Sequence, residues 1–473
     1  MSTHSFDLAI IGSGSGNSLV TPAWDHRSVA IFESGVFGGT CLNRGCIPTK
    51  MFAYPAQLAA VPAEAGRLGV DLRFGGADWP SIRNRIFSRI DAISHGGRAY
   101  RAEILENTTL FEEEARFADR HTLVTASGQR IEAEQIVVAA GSRPVVPEVP
   151  GITLSQVHTS DTIMRLPRLP ERLVVLGGGY IAAEFASIFS ALGTSVIQVI
   201  RSSELLRHHD ETVSERFTAQ ARRQWELKTG WDLTGVESGL DGWVAVEFAG
   251  PAQTTWSVDA DAVLVAFGRT PNSDRIAPEA AGLDLHQDGR LVVDEYQRLV
   301  SGGKPVPGLW ALGDISSPWQ LKHVANHEQR VVSHNLEHPE DLRRSDLGPV
   351  PAAVFARPEV ASVGLTEAQA LEQYGEERIT VKVQEMGDVA YGWAMEDTQG
   401  FCKIIADRQD GTLLGAHLMG HDASNLIQPL VQAMSFGLSA HQMARGQYWP
   451  HPALSEVIEN ALLGLAVPDS GLL

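Results

Sequence analysis

One local pattern constrains this chain more than any other: a strand, a glycine-rich turn, a helix and a second strand, occurring twice. The first copy spans 6–33 and the second spans 173–200. The paired glycines that follow the first strand of each copy are Gly12 with Gly14, and Gly177 with Gly179. A continuous apolar strand before such a turn is typical of a buried parallel strand, and the turn brings phosphate groups to a helix N-terminus. The sequence therefore predicts two Rossmann-like dinucleotide-binding units.

The two copies end their second strands on opposite charges. Glu33 lies 33 − 12 = 21 positions after Gly12, where a carboxylate accepts hydrogen bonds from ribose hydroxyls. Arg201 ends the second copy and Arg207 follows, as suits a 2′-phosphate. We therefore expect FAD at the first turn and NADPH at the second, with about a 10²–10⁴ preference over NADH. The alternative is that both arginines are solvated surface residues.

The third glycine position of the first turn holds Asn17, which predicts looser packing of the helix on the strand. Asp314 follows another apolar strand and is a candidate ligand of the flavin ribitol, and a helix is expected to begin near His323. From about Arg344 the pattern changes to alternating strands and amphipathic helices. The predicted fold is α/β, with two Rossmann-like domains and an α+β C-terminal domain. The predicted domains are the FAD domain (1–148), the NADPH domain (149–270), a segment completing the FAD region (271–343) and the C-terminal domain (344–473).

Composition excludes some partners. Asp and Glu number 57 against 38 Lys and Arg, so the net charge is −19 and repels nucleic acids and anionic membranes. The N-terminus has no recognisable targeting signal. The uncharged stretch 423–444 is too polar to span a membrane, and it predicts one helix buried in an interface. We expect a cytoplasmic protein with no nucleic-acid or membrane partner.

The chain contains three cysteines: Cys41, Cys46 and Cys402. Four residues separate the first two, and no further ligands with zinc spacing lie nearby, so no metal site is predicted. Two nearby buried cysteines would be an ordinary structural explanation. Their place within one helical segment beside the first nucleotide turn favours a redox disulfide instead. Cys402 lies in an apparent strand and is expected to be a core residue.

The block Gly38–Lys50, with the pattern G-G-T-C-x-N-x-G-C-x-P-x-K, resembles the pyridine nucleotide–disulfide oxidoreductases, the group of glutathione reductase and dihydrolipoamide dehydrogenase. The resemblance extends over almost the whole chain, with its motifs in the family's order. It implies non-covalently bound FAD, NADPH as reductant and a redox-active pair. In that pair Cys46 lies against the flavin, and Cys41 attacks the substrate disulfide.

The resemblance also implies roles for residues far from the cysteines. Lys50 would pair with Glu184 near the flavin, and Tyr180 would cover the flavin and move when nicotinamide enters. His451, oriented by Glu456, would be the catalytic base acting on Cys41 of the partner subunit, so the C-terminal domain would form a homodimer. The residues expected at the cofactors are Gly12, Gly14, Glu33, Thr40, Lys50, Gly141 and Asp314 for FAD, and Gly177, Gly179, Arg201, Arg207, Gly268 and Arg269 for NADPH.

Three segments, 387–397, 428–437 and 443–451, are similar to one subgroup of this family, whose substrate is a cysteinyl-glucosaminyl-inositol disulfide. Segment 387–397 could instead be similar because it packs at an interface. The C-terminal tail lacks the extra thiol pair that relays electrons in large thioredoxin reductases and mercuric reductases, so a small disulfide is expected to reach Cys41 directly. Glutathione disulfide and dihydrolipoamide stay open as substrates. A non-enzymatic binding role is disfavoured by the intact Cys41, Cys46, His451 and Glu456.

Overall fold

A computed structural model describes residues 3–469 and residue 471. The outermost ends of the first and last predicted domains therefore lie outside the described residues. The strands in chain order are β1 (Thr3–Ile11), β2 (Val29–Phe32), β3 (Thr108–Phe111), β4 (Ala115–Phe117), β5 (Thr122–Thr125), β6 (Arg130–Val138), β7 (Ser142–Pro144), β8 (Val157–His158), β9 (Arg172–Leu176), β10 (Ser195–Ile200), β11 (Glu226–Thr229), β12 (Asp232–Ser238), β13 (Val244–Ala249), β14 (Thr255–Ala260), β15 (Ala262–Val265), β16 (Arg269–Pro271), β17 (Arg298–Ser301), β18 (Lys304–Ala311), β19 (Ala352–Val354), β20 (Glu359–Gly364), β21 (Ile379–Glu385), β22 (Phe401–Asp407) and β23 (Leu413–Gly420). The α-helices are α1 (Gly39–Asn43), α2 (Cys46–Ala65), α3 (Trp79–Ala99), α4 (Tyr180–Ala191), α5 (Glu211–Gln224), α6 (Lys322–Glu337), α7 (Glu367–Tyr374), α8 (Ala390–Ala394), α9 (Ala423–Leu426), α10 (Gln428–Phe436), α11 (Ala440–Arg445) and α12 (Glu456–Leu463).

The largest sheet joins the beginning and the end of the nucleotide-binding part of the chain. Its order is β17-β18-β6-β1-β2-β3, and the β4–β5 hairpin pairs with β6. Strands β3, β2, β1, β6 and β18 are parallel to one another, which places their carboxyl ends at one edge, and β17 is antiparallel to β18. Because β17 and β18 come after the second nucleotide unit, the chain returns to the first sheet once that unit is complete.

The second nucleotide unit has its own sheet. Strands β11-β10-β9-β15-β8 are all parallel, and the antiparallel sheet β12-β13-β14 lies beside them. The antiparallel pair β7–β16 joins the ends of this unit to the rest of the chain. The predicted strand–turn–helix–strand order of the second copy is confirmed, with α4 beginning directly after Gly179.

The first nucleotide unit departs from the prediction. In place of the expected helix, two short 3₁₀ helices, Gly16–Leu19 and Pro22–Trp24, follow the glycine turn. Few residues separate the turn from β2, and Pro22 lacks the amide hydrogen that a continuous helix would use there. The loose packing predicted from Asn17 is also wrong. A Cβ on the neighbouring Gly16 would lie 2.7 Å from the Cβ of Ala139, so the chain packs closely there.

The C-terminal part of the chain folds around an antiparallel sheet of order β19-β20-β23-β22-β21. Cys402 is fully buried in β22, which confirms it as a core residue. The segment 423–444 forms three helices, α9 to α11, and the single predicted helix is therefore wrong. Gly437 ends α10 in the left-handed conformation, and Ser439 and Gln442 form a capping box that starts α11. Within residues 3–469, no helix combines the length and apolarity needed to cross a membrane.

Candidate active site

The two nearby cysteines lie on either side of a helix break. Cys41 is in α1, whereas Cys46 is the first residue of α2, so the single helical segment expected from the sequence is wrong. The break falls at Gly45, where a Cβ would come 3.0 Å from the carbonyl oxygen of Thr40. Both cysteines are free thiols in the structure. The break lets the two helices turn their thiols toward each other.

The two thiols have opposite acidities. A hydrogen bond from Cys41 and the positive charge of Lys50 lower the pKa of Cys46 to about 7, against the opposing effect of burial. The same hydrogen bond, together with burial, raises the pKa of Cys41 well above its usual range. Above about pH 7 the pair therefore holds one thiolate, at Cys46, and one proton, at Cys41.

An ion pair between Lys50 and the buried Glu184 lies one helical turn along α2 from Cys46. Lys50 Nζ donates to both carboxylate oxygens of Glu184 at 2.8 Å, and the Glu184 side chain is only 4% exposed. The carboxylate also accepts from the backbone N–H of Phe355 at 2.9 Å, while Lys50 lies over the Phe355 ring. The structure therefore brings Lys50 and Glu184 together.

Tyr180 and Arg269 lie where the two nucleotide units meet. Tyr180 is the first residue of α4, and burial of its hydroxyl raises its pKa to about 12. Arg269 Nε donates to Ser142 Oγ at 2.8 Å, and that hydroxyl donates to Asp314 Oδ2 at 2.5 Å. Ser142 therefore links the two predicted cofactor residues Arg269 and Asp314.

The first glycine turn packs closely against the backbone that follows β6. Gly12 has φ +105°, and a Cβ there would lie 2.3 Å from the carbonyl oxygen of Ala139, so only glycine fits. Glu33 accepts from the N–H and hydroxyl of Ser13 at 3.1 and 2.6 Å. Its carboxylate is thereby held at the end of β2, beside the turn. Thr40 is the second residue of α1, the helix that follows Glu33 in the chain.

The second glycine turn has a similar form. Gly177 has φ +123°, and there is open space where a Cβ on Gly179 would lie, at the N-terminus of α4. The N–H of Leu206 donates to the carbonyl oxygen of Gly178 at 2.8 Å, which folds the 201–207 segment back over the turn. Arg201 and Arg207, at the two ends of that segment, are both exposed. Arg201 makes a surface ion pair with Asp232 at 3.5 Å, which contributes little and leaves it free to bind an anion.

Gly141 and Gly268 are the two remaining predicted cofactor glycines. Both have positive φ, and neither has an atom within 4 Å of where a Cβ would lie. They flank the β7–β16 pair, where the N–H of Asn272 donates to Gly141 and the N–H of Val145 donates to Gly268. The two glycines therefore lie on the connection between the nucleotide units.

His451 and Glu456 form a pair at the start of α12. His451 Nδ1 lies 2.7 Å from Glu456 Oε1, and Glu456 Oε2 accepts from the N–H of Ala453 at 3.1 Å. The hydrogen bond with His451 lowers the pKa of Glu456. The His451 side chain is 71% exposed, so its second ring nitrogen is open to another molecule.

Sequence reasoning missed two buried polar residues that contact the segment 313–314. Ser142 is one, and Glu328 of α6 is the other, accepting from the N–H of Gly313 at 2.6 Å. Burial raises the pKa of Glu328 to about 7. A buried acid inside an amphipathic helix was the available signal for Glu328. Across the described part of the chain, no cluster of three or more His, Cys, Asp and Glu side chains is arranged to bind a metal.

Comparisons with known proteins cover almost the whole length of the chain. Residues 6–329 match the family model of the pyridine nucleotide-disulphide oxidoreductases, and residues 350–462 match the dimerisation domain of that family. The chain is 51% identical to mycothione reductase of Mycobacterium tuberculosis over 98% of this chain and all of that protein. It is 33% identical to glutathione reductase of Burkholderia cepacia, over 92% of this chain and 93% of that one. Its fold matches the HOCl-induced flavoprotein disulfide reductase of Escherichia coli with a TM-score of 0.83 and 28% identity, over 97% of this chain and 99% of that structure.

Proposed function

Because the chain belongs to the pyridine nucleotide-disulphide oxidoreductase family, we propose that it is an NADPH-dependent flavoprotein that reduces the low-molecular-weight disulfide mycothione to mycothiol. The observation that carries the choice of substrate is the 51% identity to mycothione reductase along almost the entire chain. The mycothione reductases are also the subgroup that segments 387–397, 428–437 and 443–451 resemble. Glutathione disulfide and dihydrolipoamide are the alternative substrates within the family.

The residues of the two glycine turns fit FAD and NADPH. When bound, the flavin supplies the transfer of an electron pair from the nicotinamide to the enzyme disulfide. Gly12 and Gly14 allow a pyrophosphate to approach the first turn, and Glu33 is placed to accept from ribose hydroxyls. Asp314 is placed to accept from the ribitol. Gly177 and Gly179 repeat the arrangement at the second turn.

The remaining proposed cofactor contacts divide between the two sites. Thr40 and Gly141 border the FAD site, where Lys50 supplies positive charge and Tyr180 covers the flavin. Arg201 and Arg207 bind the 2′-phosphate of NADPH, and Gly268 and Arg269 border its nicotinamide end. We also propose the domain boundaries 1–148, 149–270, 271–343 and 344–473, and a cytoplasmic location, where thiols stay reduced.

The thiol chemistry follows from the two acidities. His451 of the partner subunit removes the proton of Cys41, and the resulting thiolate attacks one sulfur of the substrate disulfide. A Cys41–substrate bond forms as the substrate S–S bond breaks, and the leaving thiolate takes the proton from His451. The Cys46 thiolate then attacks Cys41 Sγ, which releases the second substrate thiolate and restores the Cys41–Cys46 disulfide.

The dimerisation domain makes the chain a homodimer, and the action of His451 across the subunits is our proposal. Its support is the exposure of His451 together with apolar side chains left open on two surfaces. Tyr54, Leu58 and Val61 are exposed on α2, and Phe436 and Tyr448 are exposed in the C-terminal domain. Exposed apolar area of this kind is typical of a subunit interface.

The experiment that tests the function compares substrates on the full chain loaded with FAD. Initial rates are measured with mycothione, glutathione disulfide and lipoamide, each with NADPH and with NADH. We expect the highest kcat/KM for mycothione with NADPH. A higher value for either other disulfide would contradict the proposed substrate. Cys41→Ser should abolish turnover, whereas Cys402→Ala, at the buried thiol outside the site, should preserve it.

A further inference from the structure

A lysine occupies the first position of α6, where the helix dipole disfavours a cation. Lys322 begins this helix, and the first turn contains no acidic residue. Its Nζ donates to the hydroxyl of Ser15 in the first glycine turn at 2.7 Å. Within the described residues, Lys322 has no carboxylate at ion-pair distance. Its charge therefore adds to the positive end of the helix and is not neutralised by a neighbour.

The Ser15 contact places this charge beside the thiol-bearing helix. Ser15 follows Gly14, and a Cβ on Gly39 would lie 2.6 Å from the Cα of Gly14. The glycine turn and the start of α1 are therefore in direct backbone contact, and Cys41 is two residues after Gly39. Lys322 lies more than 270 positions after Cys41 in the sequence, so only the fold brings the two residues into the same region.

The charges around the thiol pair are distributed unevenly. On the Cys46 side, Lys50 is paired with Glu184, and both act on the Cys46 thiol. On the Cys41 side, the hydrogen bond with Cys46 and burial raise the pKa of Cys41, and the positive charge of Lys322 lowers it. The Cys41 thiolate, which forms when substrate is attacked, therefore experiences the positive charge of Lys322, a cation that has no carboxylate partner among the described residues.

We propose that Lys322 is a positioning residue that supplies positive charge to the Cys41 side of the thiol pair and stabilises the attacking thiolate. This role rests on the proposed function, in which the Cys41 proton passes to His451 of the partner subunit. In that step the S–H bond of Cys41 breaks and an N–H bond forms on the histidine. Lys322 keeps its own proton throughout and acts through the charge of Cys41 rather than on the substrate.

The test measures the Cys41 thiol without any disulfide substrate. Full-length FAD-loaded enzyme is reduced, and the pH dependence of Cys41 alkylation by iodoacetamide is followed by peptide mass spectrometry. Lys322→Met should slow alkylation about tenfold near neutral pH and move the profile about one unit to higher pH. Lys322→Arg should retain the original profile. Lys304→Met, at an exposed lysine of β18, is the matched control and should also retain it.

Superimposable alkylation profiles for Lys322→Met and the unmodified enzyme would overturn the proposal. Flavin content is measured in parallel from the ratio of flavin to protein absorbance. If Lys322→Met loses flavin but, once refilled, alkylates normally, Lys322 is a flavin-binding residue and the proposal is also wrong. If Lys322→Met does not fold, Lys322→Gln is judged by the same criterion. Failure of the unmodified enzyme to reduce any disulfide would contradict the proposed function instead, since alkylation requires no disulfide substrate.

Discussion

Lys50 and Glu184 are joined by two hydrogen bonds of 2.8 Å, although 134 positions separate them in the chain. Lys50 is in α2, one turn after Cys46, and Glu184 is in α4, one turn after the second glycine motif. The pair therefore connects the helix of the thiolate to the helix of the second nucleotide site. A displacement of either helix would therefore change the electrostatic effect of the pair on the Cys46 thiolate.

Replacing Lys50 by Met should raise the pKa of Cys46 above about 7, because the cation that favours its thiolate is lost. It should also lower the free energy of unfolding by about 1–3 kcal/mol, since the Glu184 carboxylate is left buried without its cation. Urea unfolding and a pH titration of the reduced enzyme measure the two effects. Lys50→Met/Glu184→Gln should regain part of the stability, and equal stability of Lys50→Met and the unmodified enzyme would contradict the argument.

The reduced enzyme should show a thiolate transition near pH 7. The pKa of Cys46 is lowered to about 7, so its thiolate is present above this pH and is lost as the pH falls through it. The measurement is the ultraviolet absorbance of thiolate against pH in the two-electron-reduced enzyme. Cys46→Ser should remove the transition and Cys402→Ala should keep it. A midpoint at the ordinary thiol value of about 8.5 would be incompatible with the hydrogen-bonded pair.

His451→Gln should lower kcat/KM for the disulfide by about 10²–10⁴, because the attacking thiol loses its general base. The rate at which NADPH reduces the flavin, measured by rapid mixing, should be unchanged. Glu456→Gln should have a smaller effect, since it removes the carboxylate that orients the ring and leaves the imidazole in place. The matched control is His421→Gln, at an exposed histidine 3.5 Å from Asp422. Equal losses in both half-reactions would show that His451 does not act on the thiol step.

Arg201→Ala/Arg207→Ala should reduce the preference for NADPH over NADH by about 10²–10⁴, because two charge-assisted contacts to the 2′-phosphate are removed. The change should appear in kcat/KM for NADPH, with the value for NADH nearly constant. Arg223→Ala, at an exposed arginine of α5, serves as the control for the loss of surface charge. An unchanged preference for NADPH in the double variant would show that both arginines are solvated surface residues that do not bind the 2′-phosphate.

The strand pattern and both glycine turns were predictable, because buried parallel strands and positive φ angles leave local marks in the sequence. The helices were less predictable where packing decides. Asn17 suggested a loose turn, yet its side chain accepts a hydrogen bond from Arg101 while Gly16 provides the close contact. The uncharged stretch 423–444 concealed a left-handed Gly437 that divides it. The contact of Asn17 depends on a distant residue, whereas the break at Gly437 has a local signal in the capping box of Ser439 and Gln442 that follows it.

The site shows the same division. Family motifs locate the thiols and the His451–Glu456 pair, which lies within six residues. The role of Ser142 requires the pairing of β7 with β16, whose residues are about 127 positions apart. The role proposed for Lys322 requires the contact between α6 and the first glycine turn. Such long-range contacts have no local pattern from which one sequence can reveal them.

The β7–β16 pair has a further consequence. Both chain crossings into the second nucleotide unit are hydrogen-bonded to each other, with Arg269 opposite Pro144 and Pro271 opposite Ser142. The segment between them therefore begins and ends about 5 Å apart. Insertions whose ends meet so closely can be exchanged without stretching the host fold. Residues 145–268 form a cassette, and a related cassette grafted at these two strands would change the coenzyme. It would preserve the thiol centre only if it kept a carboxylate at the position of Glu184 to pair with Lys50.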